Sequence, residues 1–302
     1  MNLISTSDRA RGGVRPLLRA LRPHQWAKNV LLLVPLLAAH RIADLAALGA
    51  AFVGVVAFSL CASSMYVLND LLDLEADREH PRKSARPFAR GDLSVATGVV
   101  VAAALLATGF VISLALPVKF LQALAVYCAL ALAYSFVLKR FLLLDALALA
   151  GLYALRIIAG AAATAVPPSF WLLLFSLFLF LSLAFVKRYA ELDALGRQQR
   201  LRALGRGYRV EDLPVLRSFG TASGYLSVLV LALYINSPEI QPLYHRPKIV
   251  WALCVLLLYW ISRVWVTAER GGMHDDPVIY ALRDPASLAV AVLAAITVVL
   301  AI

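Results

Sequence analysis

Apolar runs long enough to cross a lipid bilayer recur along the chain up to its last residue, Ile302. A transmembrane helix needs about 20 predominantly apolar residues, because each residue advances an α-helix by only about 1.5 Å. Hydrophobic residues make up 62% of the chain and charged residues 16%, whereas about a quarter of the residues in a soluble domain are charged. The sequence therefore predicts an all-α polytopic membrane protein, with a basic arm at residues 1–22 and one transmembrane domain at residues 23–302.

Nine spans are predicted within that domain. The first is marginal, because Pro35 interrupts a short apolar run whose polar prefix contains Lys28 and Asn29. Polar groups at that depth imply a protein-lined cavity. The other eight apolar runs lie at about 45–69, 94–116, 119–138, 141–164, 169–186, 218–235, 249–268 and 286–302. We expect nine transmembrane helices around a central cavity.

The basic residues predict the orientation of these spans. With the N-terminus inside, the outer segments hold few basic residues, namely Arg41, Lys119, Arg246 and Lys248. Because Lys and Arg concentrate on the cytoplasmic side of membrane proteins, we expect a plasma-membrane protein with a cytoplasmic N-terminus, cytoplasmic charged loops and an outer C-terminus. The net charge of +11 is spread over separate loops, which gives no support to nucleic-acid binding. The sequence is compatible with a homo-oligomer.

An acidic cluster follows the second predicted span. On a helix, where each residue turns by about 100°, Tyr66, Asp70, Asp73 and Asp77 fall within about 60° of one another. Three carboxylates would then share one face. Hard oxygen ligands three and four residues apart suit Mg²⁺, which completes its coordination with water and phosphate oxygens. The spacing predicts a magnesium site.

Basic residues follow this cluster directly, at Arg82, Lys83 and Arg86. Their side chains are suited to pair with phosphate groups. Together with the acidic face they predict a site that grips a diphosphate through Mg²⁺. The alternative is a solvated helix with mixed charges at the membrane surface.

A second charged loop, at about 187–216, follows the sixth predicted span and is strongly basic. Lys187 and Glu191 are one helical turn apart and could simply pair with each other, whereas Arg188 has no obvious partner. The acids of this loop do not reproduce the spacing of the first cluster. We expect two chemically unequal loops, four helices apart, that cap one cavity, an arrangement that suggests duplication of a four-helix unit.

Arg156 lies near the middle of a predicted span, where a cation costs about 2.5 kcal/mol or more. Asp145, at about 16 Å of helical rise, is too distant to pair with it directly. A bound anion, such as a substrate phosphate, or an acid on another helix would compensate Arg156.

Two further groups of polar residues have both functional and ordinary explanations. Tyr134 and Lys139 could reach a phosphate, or could be an interfacial tyrosine and a snorkelling lysine. The group from His274 to Asp276 could ligate a metal, but Gly residues before it and Pro277 after it favour a polar turn.

The stretch NDLLDLEADREHPRKSARP resembles the first Asp-rich signature of the UbiA superfamily of intramembrane prenyltransferases, and the expected helix count and loops agree with that family. Within it, RPHQWAKN, YSFVLK, LRIIAG and KRYAEL are most similar to decaprenyl-phosphate phosphoribosyltransferases. The resemblance implies that Asp70, Asp73 and Asp77 are catalytic and that they bind Mg²⁺ and diphosphate together with Asn69. It implies phosphate-binding roles for Lys28, Lys83, Arg86, Arg156, Lys187 and Arg188. The remaining candidates for substrate contact are Asn29, Tyr66, Tyr134, Lys139 and Glu191.

The sequence departs from the aromatic prenyltransferases of that superfamily in its second charged loop. Those enzymes carry a second Asp-rich motif there, whereas this chain has KRYAELDAL. One acidic and one basic site suit a sugar diphosphate that also bears a phosphate monoester. The expected function is Mg²⁺-dependent transfer of a 5-phosphoribosyl group from phosphoribosyl diphosphate to a polyprenyl phosphate lipid. The alternatives are transfer of a polyprenyl group from its diphosphate to an aromatic or quinone-precursor acceptor, and a non-enzymatic transporter or lipid-binding protein.

Overall fold

The structure is a computed structural model that describes residues 13–79, 83–199, 206–238, 244–273 and 276–302. Within these ranges the regular structure is helical, and no strand occurs. The α-helices are α1 (Val14–Leu21), α2 (Val34–Ala38), α3 (Leu45–Leu72), α4 (Leu74–Glu79), α5 (Val95–Ser113), α6 (Val118–Phe136), α7 (Leu144–Ala163), α8 (Phe170–Arg197), α9 (Leu213–Ile235), α10 (Pro247–Val250), α11 (Ala252–Glu269), α12 (Pro277–Ala281) and α13 (Pro285–Ala301).

Seven helical stretches in the described part of the chain are long and apolar enough to cross a membrane. They are Leu45–Leu72, Val95–Ser113, Val118–Phe136, Leu144–Ala163, Phe170–Arg197, Val210–Ile235 and Pro247–Glu269. The apolar helix α13 is shorter, at 17 residues. The prediction of an all-α polytopic membrane protein is confirmed, whereas the count of nine spans is not. The orientation of the chain across the membrane stays a prediction.

The first predicted span is an irregular segment rather than one long helix. It consists of a 3₁₀ helix, Pro23–Leu33, followed by the short α2, and we call Pro23–Ala38 the first segment. It packs between α3 and α7. Leu32 is fully buried there, and the backbone at Leu32 lies directly against Gly160 of α7. The irregular first segment is therefore packed closely against its neighbouring helices.

A methyl group at Gly160 would disrupt this packing. The β-carbon of an alanine there would lie 2.0 Å from the carbonyl oxygen of Leu32, so the first segment would have to move. We expect Gly160→Ala to lower the free energy of unfolding by about 1–3 kcal/mol, measured by denaturation in detergent micelles. Gly49→Ala is the control, because a β-carbon at Gly49 meets nothing within 4 Å. Equal stability of the two variants would contradict the close approach.

The apolar core forms two main clusters that meet at α7. One includes Tyr153 and Ile157 of α7 and packs against α8, α9 and α11. The other includes Ala159 and Ala163 of α7 and packs against α3, α6 and the first segment. Helix α7 thereby carries Arg156 between the two halves of the bundle. The duplication of a four-helix unit stays a prediction.

Two cavities flank the first segment. An apolar groove of about 540 Å³ lies between it and α3, lined by Val30, Leu33, Leu45, Leu48, Gly49, Phe52 and Val55. A polar cavity of about 220 Å³ is lined by His24, Gln25, Asp276, Ile279 and Arg283. Neither is lined by the acidic cluster. The predicted central cavity between the two charged loops stays a prediction.

Candidate functional site

The acidic cluster lies where α3 ends, and arginines pair with its buried carboxylates. Asp70 is 2% exposed and forms ion pairs with Arg22 and Arg86. Arg86 also donates to Asp77, which is equally buried, so that one guanidinium joins two carboxylates at 3.0 and 2.5 Å. Lys83 lies 4.0 Å from the other oxygen of Asp77. This pairing lets two buried carboxylates stay close together.

Asp73 points to a different partner. Helix α3 ends at Leu72 with Asp73 as its C-cap, and α4 begins at Leu74. The carboxylate of Asp73 accepts hydrogen bonds from Lys139 at 2.6 Å and from the Asn69 amide at 3.2 Å. The expectation of one uninterrupted helix through Asp77 is therefore wrong, because the helix is interrupted at Asp73.

The donor set suits Mg²⁺, although the structure does not bring the three aspartates together. Among the described residues, no group of three His, Cys, Asp or Glu side chains is placed to hold a metal ion. One oxygen of Asp70 is nevertheless buried without a hydrogen-bond partner, which leaves a hard oxygen donor available. The residues that would hold Mg²⁺ are Asn69, Asp70, Asp73 and Asp77, and this assignment stays a prediction.

Lys83 and Tyr66 lie at the edges of the acidic cluster. Burial lowers the pKa of Lys83, and the charge of Arg86 lowers it further against the opposing effect of Asp77. The Tyr66 ring lies 5.6 Å from the guanidinium carbon of Arg22. Arg82, which the sequence predicts as a further partner for phosphate, lies outside the described residues.

Arg156 is a buried cation surrounded by neutral groups. It is 4% exposed and donates to the Asn29 side-chain oxygen at 2.9 Å, to the Leu152 carbonyl at 2.6 Å and to the Tyr127 hydroxyl at 3.2 Å. Aromatic rings of Phe58, Tyr127 and Tyr153 lie 4.9–5.5 Å from its guanidinium carbon. No described carboxylate pairs with it. Its charge is therefore left for an anion to neutralise.

Lys28 and Lys187 meet at one carboxylate, that of Asp276. Their ammonium groups lie 2.8 and 3.0 Å from the same oxygen of Asp276. The Tyr153 hydroxyl donates to the other oxygen at 3.1 Å. The predicted pairing of Lys187 with Glu191 does not occur. Asp276 does begin α12 as its N-cap, which agrees with the polar-turn interpretation, whereas His274 and Asp275 lie outside the described residues.

Arg188 differs from the other predicted phosphate ligands because it is already neutralised. It is 1% exposed and forms salt bridges with Asp145 and Glu191, and it donates to the Tyr134 hydroxyl at 3.0 Å. The expectation that Arg188 lacks a partner is therefore wrong. Through these contacts Arg188 of α8 links its own helix to α6 and α7.

Arg206 extends this buried network into the second charged loop. It pairs with Asp145 and Glu191, both at 3.2 Å, and approaches the Tyr134 hydroxyl at 3.3 Å. Tyr208 is buried next to it, and burial together with the charge of Asp145 raises the pKa of Tyr208 to about 12. The loop is thereby attached to the turn between α6 and α7.

The site therefore has two parts: the acidic cluster with its basic partners, and a cationic cluster, which we define as Lys28, Arg156 and Lys187. Sequence reasoning missed Asp276 as a partner of the lysines and Asp145 as the anchor of Arg188. Asp145 could have been recognised from the sequence, because an ionisable residue inside an apolar run is expected to have a specific partner. The sequence around Asp276 gives little indication of its partners, because its role depends on contacts with distant parts of the chain.

The model of the UbiA prenyltransferase family matches residues 30–283 of this chain. Nodulation protein NoeC of Azorhizobium caulinodans is 39% identical over 274 residues, which are 89% of this chain and 87% of NoeC. The uncharacterised protein y4nM of Sinorhizobium fredii is 38% identical over 91% of this chain. The chain covers only 53% of y4nM and thus spans about half the length of that relative.

The decaprenyl-phosphate phosphoribosyltransferase of Mycolicibacterium smegmatis is 41% identical over 190 residues, which are 61% of this chain and 59% of that enzyme. Among solved structures, a UbiA homologue of Archaeoglobus fulgidus bound to GPP and Mg²⁺ matches with a TM-score of 0.72. The match covers 94% of this chain and 97% of the Archaeoglobus chain. Because the two sequences are only 17% identical, this match supports the fold alone. The resemblance seen in the sequence is confirmed, and the chain belongs to the UbiA prenyltransferase family of membrane-embedded transferases.

Proposed function

We propose that this protein transfers a 5-phosphoribosyl group from phosphoribosyl diphosphate to a polyprenyl phosphate lipid and releases diphosphate. The observation that carries the proposal is the unequal charge of the two parts of the site. Three aspartates lie at the end of α3. In the other part, Asp276 pairs with Lys28 and Lys187, and no described carboxylate pairs with Arg156. The partial similarity to decaprenyl-phosphate phosphoribosyltransferases supports the same choice.

In this proposal the diphosphate of the donor binds at the acidic cluster. When bound there, Mg²⁺ would supply Lewis-acid chemistry that neutralises charge on the departing diphosphate. Arg86 and Lys83 would pair with phosphate oxygens once Asp77 turns to the metal. Arg22 and Lys139 would keep contact with the remaining carboxylate oxygens, which limits repulsion among the aspartates.

The cationic cluster would hold the other phosphate groups of the substrates. Arg156 offers a planar guanidinium whose charge no described carboxylate neutralises, which suits an ionised phosphate. The rings around it exclude water and strengthen its interaction with an anion. The ammonium groups of Lys28 and Lys187 add two positive charges that can pair with a phosphate group of either substrate.

The reaction then consists of one substitution at the anomeric carbon of ribose. A phosphate oxygen of the lipid forms a bond to this carbon, while the bond from the carbon to the diphosphate oxygen breaks. Positive charge develops on the sugar, and nearby aspartates can stabilise it electrostatically. No general base is needed, because the lipid phosphate is already ionised. The protein contributes mainly by positioning two charged substrates.

The alternative function is transfer of a polyprenyl group from its diphosphate to an aromatic or quinone-precursor acceptor. The aromatic lining favours it, because Phe58, Tyr127 and Tyr153 could shield an allylic cation. Against it stands Arg156 at the centre of these rings, since its positive charge would repel such a cation.

Paired assays with the purified protein decide between the two reactions. One contains phosphoribosyl diphosphate and a polyprenyl phosphate with Mg²⁺, and the other contains a polyprenyl diphosphate and an aromatic acceptor with Mg²⁺. We expect a lipid-linked phosphoribose product in the first assay and no product in the second, as measured by mass spectrometry of the lipid extract. A product in the second assay alone would overturn the proposal.

Asp73→Asn tests the predicted metal site. Asp73 is partly exposed, so the protein should stay folded, while the loss of one carboxylate weakens Mg²⁺ binding. We expect at least a roughly tenfold fall in turnover at limiting Mg²⁺, with part of it recovered at high Mg²⁺. Asp92→Asn, in the next loop, is the control because Asp92 pairs only with nearby Arg90 among the described residues. Unchanged Mg²⁺ dependence in Asp73→Asn would remove this residue from the metal site.

A further inference from the structure

Asp276 brings together parts of the chain that are far apart in sequence. Its carboxylate contacts Lys28 of the first segment at 2.8 Å and Lys187 of α8 at 3.0 Å. It also accepts a hydrogen bond from Tyr153 of α7 at 3.1 Å and caps the backbone amide of Val278 at 3.2 Å. Three elements of the bundle and α12 thus converge on one side chain.

Lys28 needs this carboxylate to stay charged where it is. Lys28 is only 7% exposed, its ammonium lies 5.5 Å from the centre of the Tyr153 ring, and the guanidinium of Arg156 lies 5.5 Å from the same ring. Burial next to other cations disfavours a protonated lysine. The negative charge of Asp276 opposes that penalty at Lys28.

Asp276 itself remains ionised. Burial raises its pKa, but the charges of Lys187 and Lys28 outweigh burial and hold the pKa of Asp276 below its ordinary value. The other charged or titratable groups near it are Tyr153, which donates to it, and His24 and Arg283, which line the same cavity. Asp276 therefore keeps its negative charge throughout the neutral pH range.

A polar cavity borders this cluster at Asp276. Asp276 lines a polar cavity of about 220 Å³ together with His24, Gln25, Ile279 and Arg283. Lys187 is also partly exposed, whereas Lys28 is not. Asp276 is the member of the cluster that lines the cavity, and the ammonium groups of Lys28 and Lys187 lie 2.8 and 3.0 Å from its carboxylate.

We propose that Asp276 is a positioning residue that holds the ammonium groups of Lys28 and Lys187 side by side as a receptor for a phosphate monoester. The identification of that group with the 5-phosphate of the donor rests on the function proposed above. The positioning role itself depends only on the two ion pairs and the adjoining cavity.

Loss of the Asp276 charge should weaken this receptor. In Asp276→Asn the buried Lys28 would face Lys187 and Arg156 without a compensating carboxylate, so it would lose its proton at a lower pH. A neutral amine binds phosphate poorly. Lys187, which is partly exposed, would be free to turn toward solvent. The defect should therefore grow as the pH rises.

Binding of ribose 5-phosphate to the full-length protein in detergent micelles tests the proposal without turnover. Calorimetric titrations would compare wild type, Asp276→Asn and Asp276→Glu, with ribose as the ligand control. Asp284→Asn is the matched variant, because Asp284 caps α13 and pairs with Arg263 outside this cluster. We expect at least a roughly tenfold weaker affinity in Asp276→Asn near neutral pH, partial rescue by glutamate, and less than a twofold change in Asp284→Asn.

The pH series separates positioning from a merely structural role. Between about pH 6 and about pH 9, the affinity ratio of wild type to Asp276→Asn should increase, because Lys28 loses its proton at a lower pH in the variant. A ratio that stays constant, or an affinity in Asp276→Asn equal to or above that of wild type, would overturn the proposal.

Titrations with inorganic phosphate as a second ligand distinguish failure of this inference from failure of the proposed function. If wild type binds inorganic phosphate but not ribose 5-phosphate, and Asp276→Asn weakens phosphate binding with the same pH trend, the receptor stands and the phosphoribosyl assignment fails. If wild type binds neither ligand, the receptor itself is overturned.

Discussion

Arg156→Gln is expected to lower kcat/KM for the transferase reaction by at least about thirtyfold while leaving the stability of the fold nearly unchanged. The guanidinium of Arg156 is buried, and no described carboxylate pairs with it. A substrate phosphate would therefore be its main charged partner, and removing a desolvated cation from such a pair costs about 2–5 kcal/mol of binding. Stability should change little, because the substitution also removes the penalty of burying an uncompensated charge. Steady-state kinetics and denaturation in micelles measure the two effects.

Two variants control this experiment. Arg156→Lys keeps the charge but loses the planar, forked donor, so we expect only partial activity. Arg263→Gln removes an arginine that pairs with Asp284 away from both parts of the site, and activity should stay near wild type. If Arg156→Gln unfolded readily while the protein that remained folded had normal kinetic constants, Arg156 would be a structural residue.

Arg188→Gln is expected to have the opposite effect, with a loss of about 3–5 kcal/mol in the free energy of unfolding. Its guanidinium is 1% exposed and lies between Asp145, which is fully buried, and Glu191. Removal of the cation would leave Asp145 with only Arg206 as a charged partner among the described residues. A buried carboxylate that loses a salt bridge destabilises the fold strongly, and denaturation in micelles measures the change.

Arg197→Gln is the matched control, since it lies on the same helix and pairs with Asp193 at the surface. We expect its unfolding free energy to change by less than about 1 kcal/mol. The interpretation of Arg188 would be reversed by a variant of normal stability that no longer binds phosphate. That result would restore the phosphate-binding role that the sequence resemblance implies for Arg188.

Long apolar runs were sufficient to predict the class of fold. Burial of a helical backbone in lipid leaves few alternatives, because every backbone polar group must be satisfied within the helix itself. The predicted runs agree with α3, α5, α6, α7, α8, α9 and α11 to within a few residues at most ends. The first span was the weakest prediction, and there the structure has the irregular first segment. Packing of Leu32 against Gly160 shapes that segment, and this contact joins residues about 130 positions apart in the sequence.

The charged residues could be recognised from the sequence, but their pairing could not. Spacing along a helix correctly places Asp70 and Asp77 close enough to share Arg86, yet the interruption at Asp73 directs the third carboxylate toward Lys139. The same limitation applies to Glu191, whose actual partners are Arg188 and Arg206 rather than Lys187. Local spacing identifies neighbours on one helix, whereas ion pairs inside a bundle depend on which helices pack together.

The amino-acid sequence alone identifies this chain as a helical membrane protein of the UbiA family with an acidic cluster, a basic second loop and Arg156 within a span. These features depend on composition and on local periodicity, which act over a few helical turns. Contacts across the folded bundle establish that Arg156 has no described carboxylate partner, that Arg188 has one, and that Asp276 joins Lys28 to Lys187. The physical reason is that the energy of a buried charge depends on the groups within a few ångströms of it, and folding brings those groups together from distant parts of the chain.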